Sequence, residues 1–122
     1  MADKSIKILL ADDSAFMRKV LMDILKEAGY SNFVECEDGN DCLSKFNSEK
    51  PDLLLLDVIM PNKSGLEVLK ELGAGANAIM VSAVGQDQMI AEAKQGGAKD
   101  YIVKPFKREE VIAIVDRVVS GI

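Results

Sequence analysis

The chain has 122 residues and a formal net charge of -5; 48% of its residues are hydrophobic, 29% are charged and 5% are aromatic. This length suits one domain with a single core, and the hydrophobic content excludes a disordered chain. The negative charge and the scarcity of aromatic residues argue against binding to nucleic acid. We find neither a signal peptide nor an apolar stretch long enough to span a membrane, so we expect a cytoplasmic protein.

Hydrophobic patterning predicts five strands that alternate with five helices. The first strand covers residues 5–11, and the first helix covers residues 17–28, where apolar residues recur at helical spacing with Arg18 and other charged residues between them. Next come a weak strand at 33–37, a short helix that Asn40 or Asp41 caps and that buries Leu43 and Phe46, and a strand at 52–56. The last five elements are a helix at 65–72, a strand at 78–81, a helix at 87–95, a strand at 101–103 and a closing helix that includes residues 111–119.

The strand at 52–56 is the most distinctive because it contains four consecutive leucines. A strand without a polar face is typical of a parallel sheet that helices cover on both sides. Asp57 follows the leucines, and Pro61 and the turn-forming residues 62–65 prevent the strand from continuing. The alternation of elements predicts an α/β fold with right-handed crossovers. Since ligands bind at the carboxyl ends of such strands, Asp57 is the first candidate site residue.

Four of the five predicted strands end in a polar or charged side chain. These residues are Asp12 and Asp13, Asp57, Ser82 and Lys104. In a parallel sheet they lie at one edge, where two carboxylates about 4 Å apart repel by about 4 kcal/mol at an effective dielectric constant of about 20. A cation should therefore bind among them, and oxygen ligands without a full cage favour Mg²⁺. A carboxylate can also accept a phosphoryl group, and Lys104 and Ser82 can donate to its oxygens.

Residue types that commonly carry catalysis or bind zinc are scarce. The chain has no histidine, which removes the commonest general base and every Ser-His-Asp or Cys-His arrangement. Cys36 and Cys42 have neither zinc-site nor thioredoxin spacing. We predict that both are core thiols in a reducing compartment.

Several motifs, in the same order along the chain, resemble those of the receiver domain of two-component response regulators. The motifs are Asp12-Asp13, Asp57 with Met60-Pro61 and Gly65, Ser82-Ala83, and Lys104-Pro105. The runs at 12–18 and 82–86 are most similar to stand-alone chemotaxis regulators of the CheY type. The resemblance covers residues 1–122 and implies one receiver domain without an effector domain. It also implies a flavodoxin-like (βα)5 fold with strand order 2-1-3-4-5.

The resemblance implies a role for each candidate residue. Asp57 would accept a phosphoryl group from the phosphohistidine of a CheA-like histidine kinase, and Lys104 and Ser82 would contact that group. The residues implied to bind Mg²⁺ are Asp13, Asp57, Ile59 through its backbone carbonyl, and Asp12 through water. Ser82 would also act in the switch.

The implied output is binding. Tyr101 would turn inward as part of the switch, and the Lys104–Pro105 peptide bond would be cis. The phosphorylated protein, a monomer, would bind a motor-switch or adaptor protein through the face formed by the fourth helix, the fifth strand and the fifth helix. A phosphatase would be a further partner. We expect no enzymatic activity beyond the protein's own phosphorylation and dephosphorylation.

Two positions that vary in the family, Ile59 and Val84, are apolar here. We expect them to orient attacking water poorly, so that the acyl phosphate decays slowly. The loop at 73–77 is shorter than the family usually has.

Other interpretations of the same residues stay open. A stand-alone phosphorelay or sporulation-type regulator would carry the same motifs. A phosphatase of small phosphate esters with Asp57 as nucleophile is an alternative from another class, although residues 58–60 offer no general acid. A flavodoxin-like electron carrier would need a phosphate-binding loop where Asp12 and Asp13 would repel phosphate. Taken singly, Asp12 or Asp13 could cap the first helix, Asp57 could form a turn, and Tyr101 could pack in the core.

Overall fold

A computed structural model describes residues 2–122 and contains the predicted alternation of strands and helices. The strands are β1 (Lys7–Ala11), β2 (Asn32–Cys36), β3 (Leu53–Leu56), β4 (Ala78–Ser82) and β5 (Asp100–Val103). The helices are α1 (Ala15–Glu27), α2 (Gly39–Glu49), α3 (Gly65–Leu72), α4 (Asp87–Gln95) and α5 (Arg108–Ser120). None of the helices within residues 2–122 combines the length and the apolar composition that a membrane span requires.

The five strands form one parallel sheet in the order β2-β1-β3-β4-β5, which confirms the predicted fold and strand order. β1 and β3 are neighbours, and their registers pair Ala11 with Leu56. The N–H of Asp57 continues this pairing, since it donates to the Ala11 carbonyl over 2.9 Å. β1 and β3 therefore end side by side, and Asp12 and Asp57 follow them directly.

The leucines of β3 explain why this strand has no polar face. Leu54 and Leu56 pack in a core layer with side chains of α2, α3 and α4, whereas Leu53 and Leu55 pack in a second layer with α1 and α5. All four side chains are almost completely buried. Each contributes about 2 kcal/mol of hydrophobic free energy, so β3 anchors both layers. The thiols of Cys36 and Cys42 are buried in the first layer, as predicted.

The start of α2 differs from the prediction. The N-cap is Asp38, whose carboxylate accepts a hydrogen bond from the Asp41 N–H over 2.8 Å, and the cap is therefore neither Asn40 nor Asp41. Gly39, the first residue of α2, lies so close to the Lys63 backbone that a Cβ atom would be 2.1 Å from its carbonyl oxygen. This contact between the start of α2 and the loop after β3 could not be inferred from local sequence.

The predicted boundaries of β2 and α1 also shift. β2 begins and ends one residue earlier than predicted because Cys36 pairs with Ala11, the last residue of β1, and no partner remains for Glu37. Ser14, rather than Asp12 or Asp13, caps α1, and its Oγ accepts from the Met17 N–H over 3.2 Å. The two aspartates are thus free for another role.

Gly65, the first residue of α3, lies against the loop that follows β3. Its N–H donates to the Val58 carbonyl over 2.8 Å. A Cβ atom at Gly65 would be 1.9 Å from the carbonyl oxygen of Asp57, a backbone atom that cannot rotate away. Glycine is therefore required for the close approach of α3 to the Asp57 loop.

We expect Gly65→Ala to lower the free energy of unfolding by roughly 1–3 kcal/mol, as is typical of overpacking. Urea unfolding would measure the change. Gly75→Ala is the matched control, because a Cβ atom there meets no atom within 4 Å. Equal stability of the two variants would show that the Asp57 loop shifts to accommodate the added methyl group, which would contradict the prediction.

Lys4, Tyr30 and Asp116 connect three segments on the side of the sheet covered by α1 and α5. One oxygen of Asp116 accepts from Lys4 Nζ at 2.8 Å and from the Tyr30 hydroxyl at 2.6 Å. The Lys4 ammonium also lies 4.3 Å from the centre of the Tyr30 ring. Burial alone would raise the pKa of Asp116, but the hydrogen bonds from Lys4 and Tyr30 outweigh it and lower the pKa below its usual value.

Asp116→Asn should lower the free energy of unfolding by about 1 kcal/mol at neutral pH, a small value because Lys4 and Asp116 are partly exposed. A carboxyl group with a lowered pKa in the folded state stabilises the protein above its ordinary pKa of about 3.9, and this contribution is lost as the pH falls through the folded value. The difference between wild type and Asp116→Asn should therefore shrink between neutral pH and about pH 3.

Urea unfolding of both proteins across this pH range would measure the difference. Asp23→Asn is the control, since it removes an exposed carboxylate that pairs with Lys19 on the same helix. A difference for Asp116→Asn that does not vary with pH would contradict the assigned ion pair.

Candidate functional site

The carboxyl edge of the sheet holds two buried aspartates and a buried serine. Among residues 2–122, the buried residues with polar or charged side chains are Asp12, Asp57 and Ser82, and they directly follow or end β1, β3 and β4. Buried carboxylates require a partner, because their removal from water is strongly unfavourable. The edge is therefore the candidate site.

Lys104, which follows β5, supplies that partner. Its ammonium Nζ lies 2.7 Å from Asp12 Oδ2 and 3.0 Å from Asp57 Oδ2. Burial would lower the pKa of Lys104, but the hydrogen bonds with both carboxylates raise it overall. The ammonium therefore stays charged at neutral pH and bridges the two buried acids.

Asp12, Asp13 and Asp57 converge as predicted. One carboxylate oxygen of each lies within 4.8 Å of the others, with Asp13 exposed and the other two buried. The donor set fits Mg²⁺, since all donors are oxygens and there are too few of them to form a complete cage. Three carboxylates facing one ammonium also leave negative charge that a divalent cation would balance. A cleft of about 380 Å³ lined by Asp13, Glu37, Asp38 and Pro61 adjoins the cluster.

The Asp57 carboxylate contacts both its own loop and Lys104. Its Oδ1 accepts a hydrogen bond from the Ile59 N–H over 3.2 Å, so the carboxylate also forms a turn. Its other oxygen contacts Lys104. The Ile59 side chain is 62% exposed at the rim of the site. The roles of Asp57 as phosphoryl acceptor and of the Ile59 carbonyl as a ligand stay predictions.

Ser82 and Tyr101 lie beside the carboxylates. Ser82 Oγ accepts from the Val84 N–H over 3.2 Å, which leaves the hydroxyl proton available to a further acceptor. The Tyr101 hydroxyl points inward and donates to the Val84 carbonyl. The pKa of Tyr101 is raised, mainly by burial and further by the charge of Asp57, while the neighbouring Ser82 side chain opposes the increase. Its predicted switch role and its simpler packing role are compatible, because Tyr101 also belongs to the core.

A cis peptide bond and a second apolar side chain also lie at this edge. The Lys104–Pro105 peptide bond is cis. Val84 is half-buried in the loop after β4, so it and Ile59 both place apolar side chains at the rim.

Arg18 ends the run at 12–18 and lies among the charged residues of α1, and its contact beside the site was not predicted. Its Nη1 donates to the carbonyl of Asp12 over 2.6 Å, and its Nε lies 2.9 Å from Glu35 on β2. The contact with Glu35 could not be inferred from local sequence, because it depends on β2 lying beside β1.

Comparisons with known proteins agree with this geometry. The response regulator receiver domain family matches residues 8–116. The chemotaxis protein CheY of Bacillus subtilis is 40% identical over 117 residues, covering 93% of this chain and 98% of that protein. The chemotaxis protein CheY of Thermotoga maritima is 39% identical over 115 residues, covering 92% of this chain and 96% of that protein.

Solved structures show the same fold. A chain in the crystal structure of the CheX-CheY-BeF3-Mg²⁺ complex from Borrelia burgdorferi superposes with a TM-score of 0.88 and 32% identity, covering 93% of this chain and 88% of that one. The matched residues 8–116 include all four strand ends of the site. The chain belongs to the response regulator receiver domain family of two-component systems, and the relatives it resembles include chemotaxis CheY proteins.

Proposed function

We propose that this protein is a phosphorylation-controlled switch in chemotaxis, in which Asp57 accepts a phosphoryl group from the phosphohistidine of a CheA-like histidine kinase. The observation that carries the proposal is the position of Asp57. Its carboxylate is buried at a sheet edge, contacts the Lys104 ammonium and lies within reach of an ion shared with Asp12 and Asp13. This arrangement supplies the positioning and charge neutralisation that phosphoryl transfer requires.

The transfer exchanges one bond to phosphorus for another. An Asp57 carboxylate oxygen forms a bond to phosphorus while the bond from phosphorus to the donor imidazole nitrogen breaks, and the imidazole leaves with that electron pair. Asp12, Asp13, Asp57 and the Ile59 carbonyl would hold Mg²⁺, which neutralises charge on phosphoryl oxygens when bound. Lys104 lies beside Asp57 and can donate to an oxygen of the new group.

Ser82 and Tyr101 would convert this local change into a change of shape. The Ser82 hydroxyl proton can reach a phosphoryl oxygen if the side chain turns towards Asp57. That movement would break the hydrogen bond between Ser82 Oγ and the Val84 N–H, and the Val84 carbonyl is the acceptor for Tyr101. Phosphorylation is thereby coupled to the β4–α4 loop and to the face formed by α4, β5 and α5.

Output through binding follows from the same argument. We propose that the α4, β5 and α5 face binds a motor-switch or adaptor protein, and that the protein acts as a cytoplasmic monomer without further enzymatic activity. The CheY names of the relatives favour chemotaxis over a phosphorelay or sporulation pathway. The Borrelia burgdorferi complex, which contains CheX, CheY, BeF3 and Mg²⁺, supports a protein partner for this chain.

Acetyl phosphate with Mg²⁺ should add one phosphoryl group to the wild type and none to Asp57→Asn, as measured by intact-protein mass spectrometry. Asp52→Asn is the matched control. Asp52 lies at the opposite end of β3, where its carboxylate accepts from the Lys7 N–H, so this variant should be modified like the wild type. Modification that persists in Asp57→Asn would move the acceptor elsewhere. Sustained hydrolysis of a phosphomonoester would instead favour the phosphatase alternative.

The double substitution Ile59→Asn with Val84→Glu should accelerate loss of the phosphoryl group by about tenfold, because polar side chains at the rim can orient the attacking water. Decay after removal of excess acetyl phosphate would be followed by mass spectrometry. The control is Ile122→Asn, which replaces an exposed isoleucine away from the site with asparagine. It should leave the rate of phosphoryl loss unchanged. An unaltered decay rate in the double variant would refute the role assigned to these two positions.

A further inference from the structure

Arg18 is an unusually constrained arginine for a residue near the start of a surface helix. Its side chain is 12% exposed, and its guanidinium joins two elements. Nη1 donates to the Asp12 carbonyl over 2.6 Å, and Nε pairs with Glu35 Oε1 at 2.9 Å. A planar guanidinium with donors in a fixed fork can hold both acceptors at once.

The carbonyl held by Arg18 belongs to the peptide that joins Asp12 to Asp13. Other contacts already fix the rest of Asp12: its N–H donates to the Cys36 carbonyl at 3.2 Å, and its carboxylate accepts from the Ser14 N–H at 2.9 Å and from Lys104. Because the peptide unit is planar, a fixed carbonyl oxygen also fixes the N–H and the direction in which the chain enters Asp13.

Asp13 differs from the two buried acids because its side chain is exposed. The orientation of its carboxylate therefore depends mainly on the backbone from which it projects. We infer that Arg18 is a positioning residue of the metal site: by clamping the Asp12–Asp13 peptide against β2, it holds the exposed Asp13 carboxylate in the direction needed to share a cation with Asp12 and Asp57. The inference rests on the proposed Mg²⁺ site and assigns to it a supporting residue that touches neither metal nor phosphoryl group.

A general charge effect and a positioning role predict opposite changes in Mg²⁺ affinity when Arg18 is replaced. Arg18 is a cation close to an acidic cluster, so its removal should tighten Mg²⁺ binding if long-range electrostatics alone mattered. If Arg18 positions Asp13, its removal should weaken Mg²⁺ binding instead. Partners that orient metal ligands typically contribute tenfold to a hundredfold in affinity. The direction of the change therefore separates positioning from a general charge effect.

The test is isothermal titration of the full chain with Mg²⁺. We expect Arg18→Met, which keeps an apolar stem but removes the guanidinium, to raise the Mg²⁺ dissociation constant about tenfold. Lys19→Met is the matched control, since it removes the same charge from the adjacent residue, whose side chain is 71% exposed and pairs with Asp23. The control should bind Mg²⁺ as tightly as the wild type or more tightly.

Arg18→Lys provides a second variant that keeps the charge. A single ammonium cannot occupy both donor positions of the guanidinium fork, so binding should be weaker than in the wild type by a smaller factor. Thermal unfolding in EDTA would establish that each variant is folded before titration. If Arg18→Met does not fold, Arg18→Lys carries the test alone.

The possible results are distinct. Weaker Mg²⁺ binding in folded Arg18 variants, with affinity retained in Lys19→Met, supports the inference. Unchanged or tighter binding in the Arg18 variants overturns it and leaves the proposed function standing. A wild-type protein that binds no Mg²⁺ would overturn the proposed metal site, and the inference with it.

Discussion

The burial of two carboxylates around one ammonium is the constraint on which this site depends. Asp12 and Asp57 are both removed from solvent, and Lys104 contacts one oxygen of each. Such a cluster is weak evidence for stability, since desolvation offsets much of the attraction between the charges. With Asp13 beside it, however, the cluster has three carboxylates and one ammonium, and this excess negative charge favours cation binding.

The order of the strands makes this cluster possible. Neighbouring strands lie about 4.8 Å apart, so the ends of β1 and β5, separated by β3 and β4, would stand about 14 Å apart in a flat sheet. The long stem of Lys104 spans part of this separation. Its backbone is directed inward by the hydrogen bond from its N–H to the Ser82 carbonyl, which is 2.8 Å long and extends the pairing beyond β5. Lys104, the last of the site residues in sequence, thus reaches the acids that follow β1 and β3.

Much of this arrangement could be predicted because strand exits and turn residues are local features. The leucine run indicated a strand buried on both faces, and the polar residues after four strands indicated a common edge. The errors arose where several nearby residues could serve the same role: Asp38, Asn40 and Asp41 can all cap a helix, and the hydrogen bond from the Asp41 N–H identifies Asp38 as the cap. The position of Arg18 was not predicted because one of its acceptors, Glu35, lies on β2, which approaches the start of α1 only in the folded chain.

The sequence by itself determined the fold class, the alternation of strands and helices, and the set of residues at the strand exits, since these follow from hydrophobic periodicity and turn chemistry. Only the tertiary structure decided which of those residues meet, because distances between strand ends depend on strand order and on how far each side chain reaches. It showed that Lys104 lies between Asp12 and Asp57 and that the Tyr101 hydroxyl donates a hydrogen bond to the Val84 carbonyl. It also showed Arg18 between the Asp12 carbonyl and Glu35 of β2, an arrangement that depends on where β2 packs.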